Sequence, residues 1–250
     1  MKLIDRTGQI LKSANGTTVE VIKYINWRNC TIKFEDGTIV ENVNYGRILY
    51  GGVKNKNDRT FSGVGYIGYG KFSMGDALSD FYLNTWSCML KRCYRDDVHK
   101  RQPHYKACTV AEEWHNFQVF AQWMEDNYNP ELMKNWHLDK DILVKGNKIY
   151  SPETCRLVPQ EINIIFIKRQ TTRSNLSPGV SRSKGGKFYA KTKFNGVKNW
   201  LGVYNTELEA FQAYKTAKEV YIKEVADKWK NLIDPRVYQA LYNYKVEITD

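Results

Sequence analysis

The sequence predicts a multidomain α+β fold, and three observations carry that reading. Residues 18–43 contain short β-branched and aromatic segments broken by turn signals. Residues 83–124 place large apolar side chains at helical spacing. Residues 188–203 alternate along two strands and then pass into a helix that opens at Thr206. With 250 residues, 42% hydrophobic and 14% aromatic, the chain can bury more than one core.

The first region, residues 1–55, reads as strands at 18–24, 30–34 and 38–43. Asn15-Gly16 and Asp36-Gly37 supply the turns. A small SH3-like β-barrel suits this pattern, and such barrels serve many functions. Residues 56–80 are rich in glycine, tyrosine and polar groups and read as a linker or extended arm. The stretch Gly63-Val64-Gly65-Tyr66-Ile67-Gly68 is a formal G-x-G-x-x-G, and Gly65 to Lys71 spells a Walker A motif as far as Phe72. That motif needs Ser or Thr where Phe72 stands, and Gly75 interrupts the helix that should follow. Tyr66, Tyr69 and Lys71 combine aromatics with a cation, a pairing that suits a nucleic-acid backbone.

Residues 81–170 begin with two helices. Leu83, Trp86, Leu90 and Cys93 form one stripe, and Lys91, Arg92 and Arg95 crowd its C-terminal end, where cations oppose the helix dipole favourably. Val110, Trp114, Phe117, Ala121 and Met124 form the second stripe. A strand–turn–strand–helix unit follows. Its strands are 137–143 and 154–158, its turn is Lys145-Gly146-Asn147, and its helix starts at Pro159 and runs to Ile167.

In this unit the stretches His137-Leu138-Asp139-Lys140-Asp141, Gly146-Asn147, Ser151-Pro152-Glu153-Thr154-Cys155 and the later Asn163 resemble the HNH endonuclease family, in its phage homing-endonuclease form. The resemblance covers about 30 residues. It implies that Asp139 and Asn163 hold one Mg2+ or Mn2+, which suits oxygen ligands and can polarise a phosphate. Two signature positions depart from the pattern. Lys140 stands where the family carries its general-base His, and Thr154 where it carries a loop-holding Asn. Lysine is a poor base near neutral pH but can clamp a phosphate. His137, two residues from Asp139 and hence on the same strand face, is the candidate replacement base, the alternative being an ordinary half-exposed histidine.

The C-terminal region, residues 171–250, is strongly one-sided in charge. Between Lys168 and Tyr204 there are nine Lys or Arg residues and no Asp or Glu. Such a run repels itself without a polyanion. Phe188, Ala190 and Thr192 alternate with Tyr189, Lys191 and Lys193, Asn195-Gly196 marks a hairpin, and the next strand sets Lys198 and Trp200 opposite Leu201 and Val203. Thr206 and Glu209 make a capping box for a helix whose apolar stripe is Ala210, Phe211, Tyr214, Ala217 and Tyr221. Asp234-Pro235 opens a closing helix with Val237, Leu241 and Tyr244 at its apolar positions.

Gly179-Val180, Gly186 through Ala190, Trp200-Leu201-Gly202, Thr206, Glu209-Ala210 and Ala213-Tyr214 resemble the AP2 domain over about 45 residues. The resemblance implies a three-stranded sheet on a helix, with the sheet in the major groove of double-stranded DNA. The contact positions it implies are Ser181, Ser183, Lys191, Lys193, Lys198 and Trp200. Lys184, Lys187 and Tyr189 extend the same surface. The face carries Lys and Ser where AP2 domains often carry Arg, so phosphate binding should outweigh base readout.

A net charge of +11 fits an anionic partner, double-stranded DNA first and RNA second. The odd count of five cysteines, without a Cys-x-x-Cys pair, points to a reducing, cytoplasmic setting. Cys88, Cys93 and Cys108 with His99, His104 and His115 match no standard zinc spacing and read as buried free thiols and ordinary histidines. No apolar run is long enough for a membrane span. Two functions follow as expectations. One is a phage-type DNA-binding protein with a metal-dependent endonuclease unit. The other is a non-catalytic DNA-binding regulator or counter-defence protein on the same scaffold.

Overall fold

The computed structural model describes residues 4–13, 16–166, 176–194 and 196–249. Asn15, Ile167, Asn195 and three members of the cationic run, Lys168, Arg169 and Arg173, lie outside the described residues. The fold mixes α and β, and the chain divides into two compact units. One comprises residues 1–101 and 112–121, the other residues 102–111 and 122–250.

The first unit opens with four strands, β1 (Ile10–Lys12), β2 (Thr18–Asn26), β3 (Asn29–Phe34) and β4 (Ile39–Val43). They pair antiparallel in that order. The alternation read from the sequence sets the inner face, where Val19, Val21, Cys30, Ile32 and Phe34 are buried. The expected barrel does not form. β1 is three residues long and pairs with β2, β4 pairs with β3, and among the described residues no strand closes the gap between β1 and β4. The open face is covered instead by Tyr45 and Ile48 of α1 (Tyr45–Leu49) and by Val53.

The glycine- and tyrosine-rich segment that reads as a linker is packed. The Tyr66 N–H donates to the His115 carbonyl, and the Phe117 N–H donates to the Tyr66 carbonyl, both at 2.9 Å. The Gln118 side chain bonds both the N–H and the carbonyl of Phe72. Phe61 lies 4.9 Å, centroid to centroid, from Trp86 of α2 (Ala77–Tyr94). Gly65 has a packing reason to be glycine, because a Cβ there would sit 2.4 Å from Leu90 Cδ1 and 2.8 Å from the Trp86 ring. The formal nucleotide motif is thus a close approach of backbone to helix.

Asp76 caps α2 by accepting from the Ser79 N–H, and Tyr82, Trp86, Met89, Leu90 and Cys93 form its buried face. A short α3 (Asp96–Arg101) follows. The second predicted stripe is buried as expected but is not one helix. Val110 belongs to β5 (Thr109–Val110), Trp114 to a 3-10 turn, and α4 (Phe117–Asn127) starts later. Asn116 fixes that start, since its side-chain oxygen accepts from the Gln118 N–H at 2.9 Å.

In the second unit β5 pairs parallel with β7 (Ile149–Tyr150). β6 (Trp136–Asp139) pairs antiparallel with β8 (Arg156–Pro159), and α5 (Gln160–Ile165) follows directly. Both strands are shorter than predicted. β6 ends at Asp139 because that carboxylate accepts from the N–H groups of Asp141 and Ile142, which removes two donors from any longer ladder.

The C-terminal sheet contains β9 (Val180–Arg182), β10 (Phe188–Phe194) and β11 (Val197–Tyr204), in the order β11-β10-β9. It packs on α6 (Glu207–Trp229), and α7 (Pro235–Tyr242) closes the chain. The Thr206/Glu209 capping box is present in both directions. Glu161 of α5 accepts from Trp229 Nε1 at 2.8 Å and from Lys228 Nζ at 2.6 Å, tying the ββα unit to α6.

Gly179 leads into β9 at φ +74°, and a Cβ there would lie 1.9 Å from the Tyr214 ring of α6. Gly179→Ala combines left-handed strain with overpacking and should cost about 2 kcal/mol, read from the midpoint of urea denaturation. A midpoint equal to wild type would show that strand and helix do not approach this closely.

Candidate functional site

Two clusters gather the residues singled out from the sequence, both in the second unit. The first is the ββα element. Asp139 is 9% exposed, and its Oδ1 accepts from the Asp141 and Ile142 N–H groups at 2.9 and 2.8 Å. Burial pushes its carboxyl up to about 6, and the neighbouring Asp141 carboxylate pushes the same way. The two backbone N–H groups and Lys140 oppose that rise. Lys140 is also buried. Its Nζ lies 3.3 Å from Asp141 Oδ2 and 5.7 Å from the centroid of the Tyr150 ring. Asn163 Nδ2 lies 3.4 Å from His137 Nδ1. The structure therefore brings His137 to Asn163, and Lys140 to Asp141.

The loop between β6 and β7 is held by a residue that reads only as part of a turn. Asn147 Nδ2 donates to the carbonyls of Lys140 and Ile149, both at 2.7 Å. Thr154 Oγ1 adds a 3.0 Å bond to the Ile149 carbonyl. Asn147 and Thr154 together thus hold this loop.

These side chains do not form a cradle for a hard divalent cation as they stand. One Asp139 oxygen is taken by two backbone donors, and the Asn163 amide meets an imidazole. Among the described residues no three His, Cys, Asp or Glu side chains converge. The cysteine and histidine positions considered for zinc are also apart in role. Cys88 is exposed, Cys93 and Cys108 are buried, His99 Nε2 meets the Arg92 carbonyl, and His115 meets Tyr94.

The sequence gives little warning of Arg156. It is buried, its Nε donates to Asp234 Oδ2 at 2.8 Å, and its Nη1 donates to the Pro152 carbonyl at 3.0 Å. Asp234 also caps α7 and pairs with Arg236. The Arg236 guanidinium first, with further help from the Arg236 N–H and Arg156, holds the Asp234 carboxyl at about 2 against the opposing effect of burial.

The second cluster is the outer face of the C-terminal sheet. Val180, Ala190 and Thr192 are buried on the side that meets α6, so their strand neighbours point outward. Register then assigns the rows. Ser181, Tyr189 and Val203 stand opposite one another, Lys191 faces Trp200, and Lys193 faces Lys198. Tyr189 and Trp200 stack at 5.0 Å with 22° between planes, and Lys191 Nζ lies 5.4 Å from the Tyr189 centroid. Trp200 is 62% exposed. Ser183, Lys184 and Lys187 flank the β9–β10 turn, where the Ser183 N–H donates to the Lys187 carbonyl at 2.8 Å.

One expectation about this face changes. Strict alternation sets Val203 on the inner side with Leu201. A register shift opposite Ala190 and Lys191 leaves Leu201 unpaired, as in a β-bulge, and turns Val203 outward, where it is 54% exposed. From residue 176 to residue 204 the sequence has six Lys or Arg residues and no acid. Together these features make a cationic surface with an aromatic and aliphatic strip through it. Among the described residues no helix is long and apolar enough to cross a membrane. No family model, curated protein or solved structure matches the chain.

Proposed function

We propose that this protein binds double-stranded DNA through the outer face of its C-terminal sheet. The observation that carries the reading is the composition of that face: Lys191, Lys193 and Lys198 around a stacked Tyr189–Trp200 pair, in a segment without carboxylates. Cations of this density neutralise phosphates, and aromatic planes suit bases or sugars. The AP2-like pattern of residues 179–214 points the same way. With about five phosphates neutralised, log K against log salt should fall with a slope of about −4.5, measured by fluorescence anisotropy on a labelled duplex. Lys191→Ala combined with Lys193→Ala should flatten the slope by about 2. A complex whose affinity ignores salt would sink the reading, and stronger competition by duplex RNA than by duplex DNA would redirect it.

In this reading the ββα unit is a binding scaffold related to an HNH endonuclease. The support is the buried, ion-paired Lys140 at the base position and the Asn163–His137 contact. DNA cleavage is the second reading, and one observation favours it: Asp139 is a carboxylate kept in a buried setting that raises its pKa, as functional carboxylates often are. Plasmid nicking with Mg2+ or Mn2+ that is lost in Asp139→Ala, with binding retained, would favour the nuclease. Intact plasmid under either metal would favour the binder.

A further inference from the structure

We infer that the outer face of the C-terminal sheet reads the 5-methyl groups of thymine, and so selects A·T-rich duplex DNA. This rests on the DNA-binding reading above and names the bases that the same face prefers.

Bidentate contacts to guanine come from Arg and, with the looser geometry of a point charge, from Lys, and those to adenine from Asn or Gln. Arg182 and Asn199 are the relevant side chains among the described residues of β9, β10 and β11; both are solvent-exposed, and both have the strand parity of the side that meets α6. Arg182 pairs with Phe188 and sets its guanidinium 5.4 Å from that ring, and Asn199 pairs with the buried Thr192. The outer face keeps Ser181, three lysines, Tyr189, Trp200 and Val203.

Of these, lysine donates to acceptors that every base pair offers in the major groove, and serine bonds to either partner. They position the sheet without choosing strongly among bases. The remaining surface is apolar. Val203 stands opposite Tyr189, Trp200 stacks on Tyr189, and Val203 and Trp200 are more than half exposed. The major-groove edge carries one apolar feature, the thymine methyl. A narrow β-ribbon fits that groove, and the flanking lysines supply the charge complement for phosphates on either side. The bulge at Leu201 makes the strip continuous, because without it Val203 would face α6.

The test uses the full-length protein and four alternating duplexes of equal length at one salt concentration: A·T, A·U, G·C and G·5-methyl-C. Each methyl buried against Val203 or Trp200 should tighten binding about fourfold. Two such contacts should therefore favour A·T over A·U by about tenfold or more, and methylation of cytosine should strengthen the G·C complex in the same sense. Val203→Ser, with its fold checked by a circular-dichroism melt, should bring the T-to-U ratio towards one. A wild-type ratio of one, or a ratio that Val203→Ser leaves untouched, overturns the thymine reading while DNA binding stands. No measurable binding to any of the four duplexes overturns the DNA-binding reading itself.

Discussion

Asp234→Ala is expected to destabilise the protein by about 3–5 kcal/mol, the cost of leaving a buried charge without its partner. Arg156 is buried, and Asp234 supplies the carboxylate that meets its Nε at 2.8 Å. The same carboxylate caps α7 through the Arg236 N–H, so the substitution removes a helix cap as well. Asp234→Asn separates the two effects, since an amide oxygen can still cap but brings no charge. Chemical denaturation followed by tryptophan fluorescence would show the order wild type, Asn, Ala. A loss below about 1 kcal/mol for Asp234→Ala would mean that solvent screens this pair as it screens surface ion pairs. The pH dependence has a definite sign. The folded pKa of about 2 lies below the unfolded value near 3.8, so the folded state favours the ionised form. That stability is fully present above about pH 5 and is lost as pH falls towards 2.

Asp139→Asn is expected to do the reverse and raise stability by about 1–3 kcal/mol at pH 7.5. Here the folded pKa of about 6 lies above the unfolded value of 3.8, so the folded state favours the protonated form. The charge costs nothing below about pH 4, costs progressively more as pH rises to 6, and keeps that cost above it. Asparagine retains the oxygen that accepts from Asp141 and Ile142 and removes the charge. The gain should therefore shrink to nearly zero at pH 4. Melting temperatures at pH 4 and 7.5 decide the matter, and a variant no more stable than wild type at the higher pH would refute it. A residue whose natural form destabilises the fold is a candidate for functional retention.

The parts legible in the sequence were those written in local periodicity. Val19, Val21, Cys30, Ile32 and Phe34 alternate, and they line one face. Thr206 and Glu209 announce a capped helix, and both halves of the box form. What was not legible depended on partners distant in sequence. Whether four strands close or stay open is decided by edge pairing, which alternation does not encode. Val110 reads as helical because Trp114, Phe117 and Ala121 follow at the right spacing, yet it pairs with Tyr150 in a parallel two-stranded ladder. Gly65 reads as part of a linker because its packing partner, the Trp86 ring, sits 21 positions later. Of the candidate sites, the lysine and Trp200 positions followed from parity, whereas Val203 required the bulge. The Arg156–Asp234 pair spans 78 positions and left no local mark.

The division of the chain into interleaved units bears on how it is made. The chain leaves the first unit after Arg101, rejoins it at Glu112 and leaves again after Ala121. A growing polypeptide that ends at Arg101 lacks Trp114, whose carbonyl accepts from Trp86 Nε1, and lacks Phe117, which packs on that indole. The packing around Trp86 therefore stays unfinished until Phe117 has left the ribosome. Meanwhile Thr109 and Val110 wait for Ile149 and Tyr150 to be synthesised. Translation thus imposes an order, the first unit closing while the second is still being threaded out. A fragment cut between the units would leave one of these partners behind.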